Sequence, residues 1–139
     1  MNDVLVPARF VLTMGHLMLT GMAWRSRARN VLAALPPLAN VTTSDMAALA
    51  TASVEAAWVF ALLGFAVSLG GLVRGASGCS PIANATQIVA QFVGSLMLSR
   101  FLRDELHYIY LWYIVAVVHV PSLALELGCA SFGKRVYPR

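Results

Sequence analysis

From Ala56 to Val73 the chain runs 18 residues without a charged side chain. A helix of that length, at ~1.5 Å per residue, approaches the thickness of a bilayer's hydrocarbon core. In water such a run would expose an apolar surface that a chain of 139 residues has too little core to hide, and it would aggregate. In lipid the same run must satisfy every backbone N–H and C=O within itself, which selects a helix. Composition points the same way. Hydrophobic residues make up 59% of the chain and charged residues 12%, against about a quarter charged in an ordinary soluble domain.

Four segments reach or approach spanning length: about Leu5 to Trp24, Ala47 to Val73, Ile82 to Leu98 and Tyr108 to Phe132. Pro7 suits the first turn of the first helix, and Arg9 is expected to snorkel back to the headgroups. No basic stretch precedes this run and no clean small-residue cleavage site follows it, so it reads as a retained span and not a signal peptide. A polar connector is expected from Arg25 to about Asp45. Pro36-Pro37 breaks any helix there, Val31 to Leu35 lies on the surface, and Ser44 is a suitable N-cap for the second span. The third span is the most polar, with Asn84, Thr86, Gln87 and Gln91, and Arg100 and Arg103 stop it before a turn at Asp104-Glu105. Tyr108, Tyr110, Trp112 and Tyr113 open the fourth as an interfacial aromatic belt. The expected fold is an all-α, integral membrane four-helix bundle. It is a single domain over residues 1–139, with short connectors and both termini on one side.

The net charge of +4 does not indicate nucleic acid, because the ten Lys and Arg flank the apolar runs and form no single patch. Arg25, Arg27 and Arg29 are candidate contacts for lipid headgroups or partners. Orientation does not follow from charge. Arg9, Arg74, Lys134, Arg135 and Arg139 fall on the terminal side and Arg25, Arg27, Arg29, Arg100 and Arg103 on the other, five against five. Cys79 and Cys129 have no zinc-like spacing and do not imply a disulfide framework. Of two N-x-S/T sequons, the one at Asn84 lies too close to the bilayer to be modified, and Asn40 is the candidate glycosylation site.

Ionisable and amide side chains within a span are costly, so each needs a reason. His119, Ser122 and Glu126 share one face of the fourth span by their three- and four-residue spacing, and Pro121 beside them frees a backbone acceptor. Thr13, His16 and Thr20 stripe the first span, Gln87 and Gln91 lie one turn apart in the third, and Glu55 stands near one end of the second. One reading is a proton or metal pathway through His16, His119, Glu126 and Glu55, as in a small transporter or channel. The commoner use of such groups is interhelical hydrogen bonding. No Glu-x-x-His pair of a di-metal site, no Ser/His/Asp set and no phosphate-cradling glycine loop is present, so neither an enzyme nor a cofactor nor a small-molecule substrate is expected. Small residues four apart, Gly64 with Ser68, Ala90 with Gly94 and Ala124 with Gly128, favour close helix approach.

Val6-Pro7-Ala8-Arg9-Phe10, His16-Leu17, Trp24 followed by Arg25-Ser26-Arg27, Leu35-Pro36, Asn84-Ala85-Thr86-Gln87, Trp112-Tyr113-Ile114, Pro121 and Glu126 follow one another in an order that resembles the transmembrane protein 107 family. The resemblance covers nearly the whole chain and rests on order and spacing, not on one motif. It departs from the family in the first connector, where only Asp45 is acidic, and near Ser68, where the family carries a glutamate. The resemblance implies a non-enzymatic subunit of the ciliary transition-zone complex that helps to assemble a gate for ciliary membrane proteins. It implies partners such as meckelin and the tectonics. It also implies cytosolic termini, and therefore free thiols at Cys79 and Cys129.

Overall fold

The computed structural model describes residues 2–35, 41–74 and 81–136. Helices α1 (Asn2–Leu32), α2 (Val41–Val73), α3 (Pro81–Arg103), α4 (Ile109–Ile114) and α5 (Val120–Val136) account for most of them, and a π turn, Val115–His119, joins α4 to α5 into one fourth span. Each of the four long helical segments is long and apolar enough to cross a membrane: Val4–Leu32, Asp45–Val73, Pro81–Arg103 and Ile109–Cys129. The chain is therefore an all-α four-helix membrane bundle, antiparallel from one span to the next.

Three boundaries differ from those the sequence suggests. Helix α1 continues to Leu32, so Arg25, Arg27 and Arg29 stand on two further helical turns and not in a loop. The extension holds because Asn30 and Val31 are buried against the far end of α3. Helix α2 already begins at Val41, which puts Ser44 inside the helix and not at its cap. Helix α3 runs through Arg100 to Arg103, two good helix formers in the last turn, where cations favour the helix dipole. Asn40 and Cys79 lie outside the described residues, and Cys129 is a half-buried free thiol.

The bundle is apolar outside and, at its terminal end, polar inside. Phe10, Met18, Phe60, Leu63, Phe92 and Val117 face outward. Arg9, Thr13, His16, Ser68, Asn84, Gln87, Gln91, His119, Ser122 and Glu126 are buried. This inversion suits lipid, whose tails give apolar side chains no reason to hide and leave packing and hydrogen bonds to join helices. The far half of the core is apolar: Ala23, Ala50, Val54, Ala57, Ala61, Leu98, Phe101, Leu111, Ile114 and Val118. Alanines on the inner face of α2 let it lie close to α1. At that far end Asn30 Nδ2 donates to the carbonyls of Phe101 (3.3 Å) and Leu106 (2.9 Å), closing the turn in which Glu105 takes a left-handed φ of 46°.

Pro121 explains the π turn. It has no N–H to offer the carbonyl of Val117, and the helix widens around the gap. The N–H of Val120 bonds to Val115 five residues back. With the extra residue, Val115, Val118 and His119 are all buried in the bundle.

Candidate functional site

The terminal half of the core contains two polar layers. In the outer layer all four spans contribute. Arg9 of α1 forms an ion pair with Glu126 of α5. It also donates to Asn84 Oδ1 of α3 at 3.0 Å and to the Ser68 hydroxyl and carbonyl of α2 at 3.0 and 3.2 Å. Arg9 and Asn84 are 0% exposed, Ser68 2% and Glu126 4%, so the pair is shut off from its surroundings. Measured along each span, Arg9 and Ser68 lie five residues inside the ends at Val4 and Val73, and Asn84 and Glu126 lie three inside Pro81 and Cys129. That places the layer ~5–8 Å within the span ends.

The inner layer repeats the pattern seven residues further along three helices: Arg9 to His16, Asn84 to Gln91 and Glu126 to His119. Two turns of helix bring each partner back to the same face, ~10 Å deeper. His16 Nδ1 donates to Gln91 Oε1 at 2.7 Å. Its ring stacks on His119 with centroids 5.3 Å apart and planes 19° apart, and Phe65 meets both imidazoles edge-on at 5.0 and 4.8 Å. Between the layers, Gln87 Nε2 donates to the Ser122 carbonyl at 2.9 Å. That carbonyl, not the one Pro121 frees, is the acceptor in use.

Glycines seat these side chains. A Cβ at Gly71 would run into the Glu126 carboxylate, one at Gly64 would lie 2.9 Å from His119 Nδ1, and one at Gly94 would meet the His16 ring and Val118. Gly64 and Gly71 are seven apart on α2, as His119 and Glu126 are on the fourth span, so the two helices mesh with glycine opposite each large polar side chain. Of the small-residue pairs in the sequence, Ala124 with Gly128 serves no such contact, because Ala124 is exposed and Gly128 has open space around it.

The structure thus brings together His16, Gln87, Gln91, His119, Ser122 and Glu126 from the sequence-predicted set. It leaves Glu55 out. That side chain is half exposed toward the other end of the bundle, 3.8 Å from Arg27 Nε. Arg27 also lies over the Trp24 ring at 4.0 Å, and Arg29 reaches Glu105 at 3.0 Å. Among the described residues the threonines of the α1 stripe pair with no other helix through their hydroxyls. Thr13 and Thr20 donate to the carbonyls of Arg9 and His16 one turn back. Sequence reasoning missed Arg9, Ser68, Asn84 and Asn30. The expectation that Arg9 snorkels to the surface is overturned by its burial, since in this position the guanidinium gains a carboxylate and three oxygen acceptors that replace water.

Chemically, the outer layer is a neutralised clasp. Four oxygen acceptors from the other three spans converge on one guanidinium, so each span has a stake in it. Among the described residues no group of three or more His, Cys, Asp or Glu side chains is placed to hold a metal ion. No curated protein and no solved structure matches the chain. A model of the TMEM107 family of transmembrane proteins matches residues 5–130, from the start of the first span, through Arg9, Ser68, Asn84 and Glu126, to the end of the fourth. With that match over nearly its whole length, and four spans clasped by one polar layer, the chain belongs to the TMEM107 transmembrane-protein family.

Proposed function

We propose that this chain is a non-enzymatic membrane subunit of the ciliary transition-zone complex, with both termini in the cytosol. It helps to assemble the gate that sets which membrane proteins enter the cilium. Its partners on this reading are other transition-zone membrane proteins, such as meckelin and the tectonics. Family membership supports the setting. The observation that carries the architectural role is the Arg9–Glu126 pair, which Asn84 and Ser68 complete from the remaining two spans. A carboxylate so enclosed ties helices together, and it leaves the lipid-facing surface and the short connectors as the means of contact with other proteins.

A second reading, transport along the polar core, draws on buried atoms that find no hydrogen-bond partner among the described residues. They include His16 Nε2, Asn84 Nδ2, Gln87 Oε1, Ser122 Oγ and Glu126 Oε2. Two experiments separate the readings. Light microscopy of a tagged copy in a ciliated cell, with basal-body and axoneme markers, gives a band between the two on the scaffold reading, and diffuse membrane signal sinks it. A Glu126→Gln chain that keeps its location but loses an ion or proton flux would replace the scaffold with the transporter.

A further inference from the structure

Between α2 and the fourth span a half-open cavity of about 190 Å³ faces outward. Leu63 and Val67 form one wall and Val120 and Leu123 the other, over a floor of Gly64 and His119. The walls are apolar and well exposed, with Leu63 and Val120 each 57% accessible. His119 is the polar exception. It is 96% buried (4% exposed), it stacks on His16 and meets Phe65 edge-on, and it makes no hydrogen bond among the described residues. Gly64 is what opens the floor, because any Cβ there would lie 2.9 Å from His119 Nδ1.

Depth decides what such a groove can hold. His119 is ten residues from either end of the Ile109–Cys129 span, ~15 Å from each. That is the middle of the hydrocarbon. Phospholipid headgroups, esters and sterol hydroxyls stay near the interfaces, so a lipid brings only an acyl chain to this depth and leaves the imidazole unanswered, at a cost. A second copy of the chain serves no better. At the middle of α1 and α3 the exposed side chains are Met18, Phe92 and Val93, none of them a useful hydrogen-bonding group. A transmembrane helix of another protein meets both demands: a ridge of side chains for the apolar walls and one polar side chain for the floor.

We propose that this groove docks a transmembrane helix of a different membrane protein, one that presents Ser, Thr, Asn or Gln to His119 at mid-bilayer. The proposal deepens the scaffold reading and rests on it only for where the partner resides.

The test uses the full chain in ciliated cells, with a small photoreactive diazirine residue, close to leucine in size, at Leu63 or at Val120, and at the lipid-facing Val89 of α3 as control. Cross-linked peptides are read by mass spectrometry. The expected result is a membrane-spanning peptide of another protein with one of those four residues in register, captured from both groove positions and not from Val89. His119→Leu reduces that capture about fivefold, the loss of one interhelical hydrogen bond of about 1 kcal/mol. Where His119→Leu lowers the folded amount, Val120→Trp, which fills the groove from its exposed rim, is paired with capture from Leu63 and abolishes it. Capture of lipid alone, capture of a second copy, or partner capture that neither substitution changes overturns the proposal. Partner capture in cells whose tagged chain lies outside the transition zone overturns the scaffold's location and keeps the groove. A transition-zone band with lipid-only capture does the opposite.

Discussion

Replacing Arg9 by methionine should be among the most damaging single changes this chain can suffer. Arg9 donates to Asn84, to the hydroxyl and carbonyl of Ser68, and to Glu126, all buried. Without it a carboxylate stays enclosed with no counter-charge, and removal of one partner of a buried pair costs ~3–5 kcal/mol. The orphaned Asn84 and Ser68 acceptors add ~0.5–1 kcal/mol each. The total, ~4–7 kcal/mol, is a large share of the ~5–15 kcal/mol that holds a typical domain folded. Glu126→Leu alone should cost a similar amount from the opposite side. The double variant Arg9→Met with Glu126→Leu removes both charges and leaves only the neutral acceptors short, a cost of ~1–2 kcal/mol. It should therefore be more stable than either single variant, a coupling that a double-mutant cycle reads directly. The assay is denaturing-detergent titration of the purified chain in bicelles, followed by tryptophan emission. Trp24 and Trp58 pack at 4.6 Å and Trp112 Nε1 bonds Ser53 at 2.9 Å, so all three tryptophans report loss of packing. Arg9→Met within ~1 kcal/mol of the parent would refute the buried pair, and so would singles whose costs simply add in the double.

Four further predictions follow from the same structure. Gly71→Ala and Gly94→Ala push a methyl group into the Glu126 carboxylate and the His16 ring and should destabilise by ~1–3 kcal/mol. Gly15→Ala and Gly21→Ala meet open space and should stabilise by ~0.4–1 kcal/mol, both readable in the same titration. Gln87→Leu, which removes the 2.9 Å bond to the Ser122 carbonyl, should cost ~0.5–1.5 kcal/mol. The Arg103 guanidinium, bonded to Asp104, holds that exposed carboxyl below the usual carboxylate range. A depressed folded value adds stability above the ordinary carboxylate range and loses it as pH falls through the depressed one. Solvent and salt screen so exposed a pair, and Asp104→Asn should leave thermal unfolding at physiological salt and neutral pH unchanged.

The spans were legible in the sequence because an 18-residue uncharged run has one stable form in lipid. The shared face of His119, Ser122 and Glu126, and the pairing of Gln87 with Gln91, followed from helical spacing alone. Arg9 was not legible in isolation. Five residues inside a span, an arginine can snorkel outward or turn inward, and only the presence of a buried carboxylate at the same depth decides. Asn84 was obscured by its sequon, and Ser68 by its use as a small packing residue. One signal was present in the sequence all the same. Polar residues seven apart occur in three spans, Arg9 and His16, Asn84 and Gln91, His119 and Glu126, and antiparallel threading puts them in two common layers. The helical extension to Leu32 was hidden because three arginines in eight residues look like a loop, while their helix is fixed by Asn30 reaching across to Phe101 and Leu106.

The central claim is that the buried polar layer is architectural and that the architecture serves a place in the transition zone. It is tested most directly in ciliated cells that lack the endogenous chain, by imaging tagged rescue copies of the parent, of Arg9→Met and of the Arg9→Met, Glu126→Leu double. The account predicts a band between basal body and axoneme for the parent, its loss with Arg9→Met, and its return with the apolar double. A double variant that folds and reaches the membrane yet forms no band would show that the charges themselves do the work, and would contradict the account.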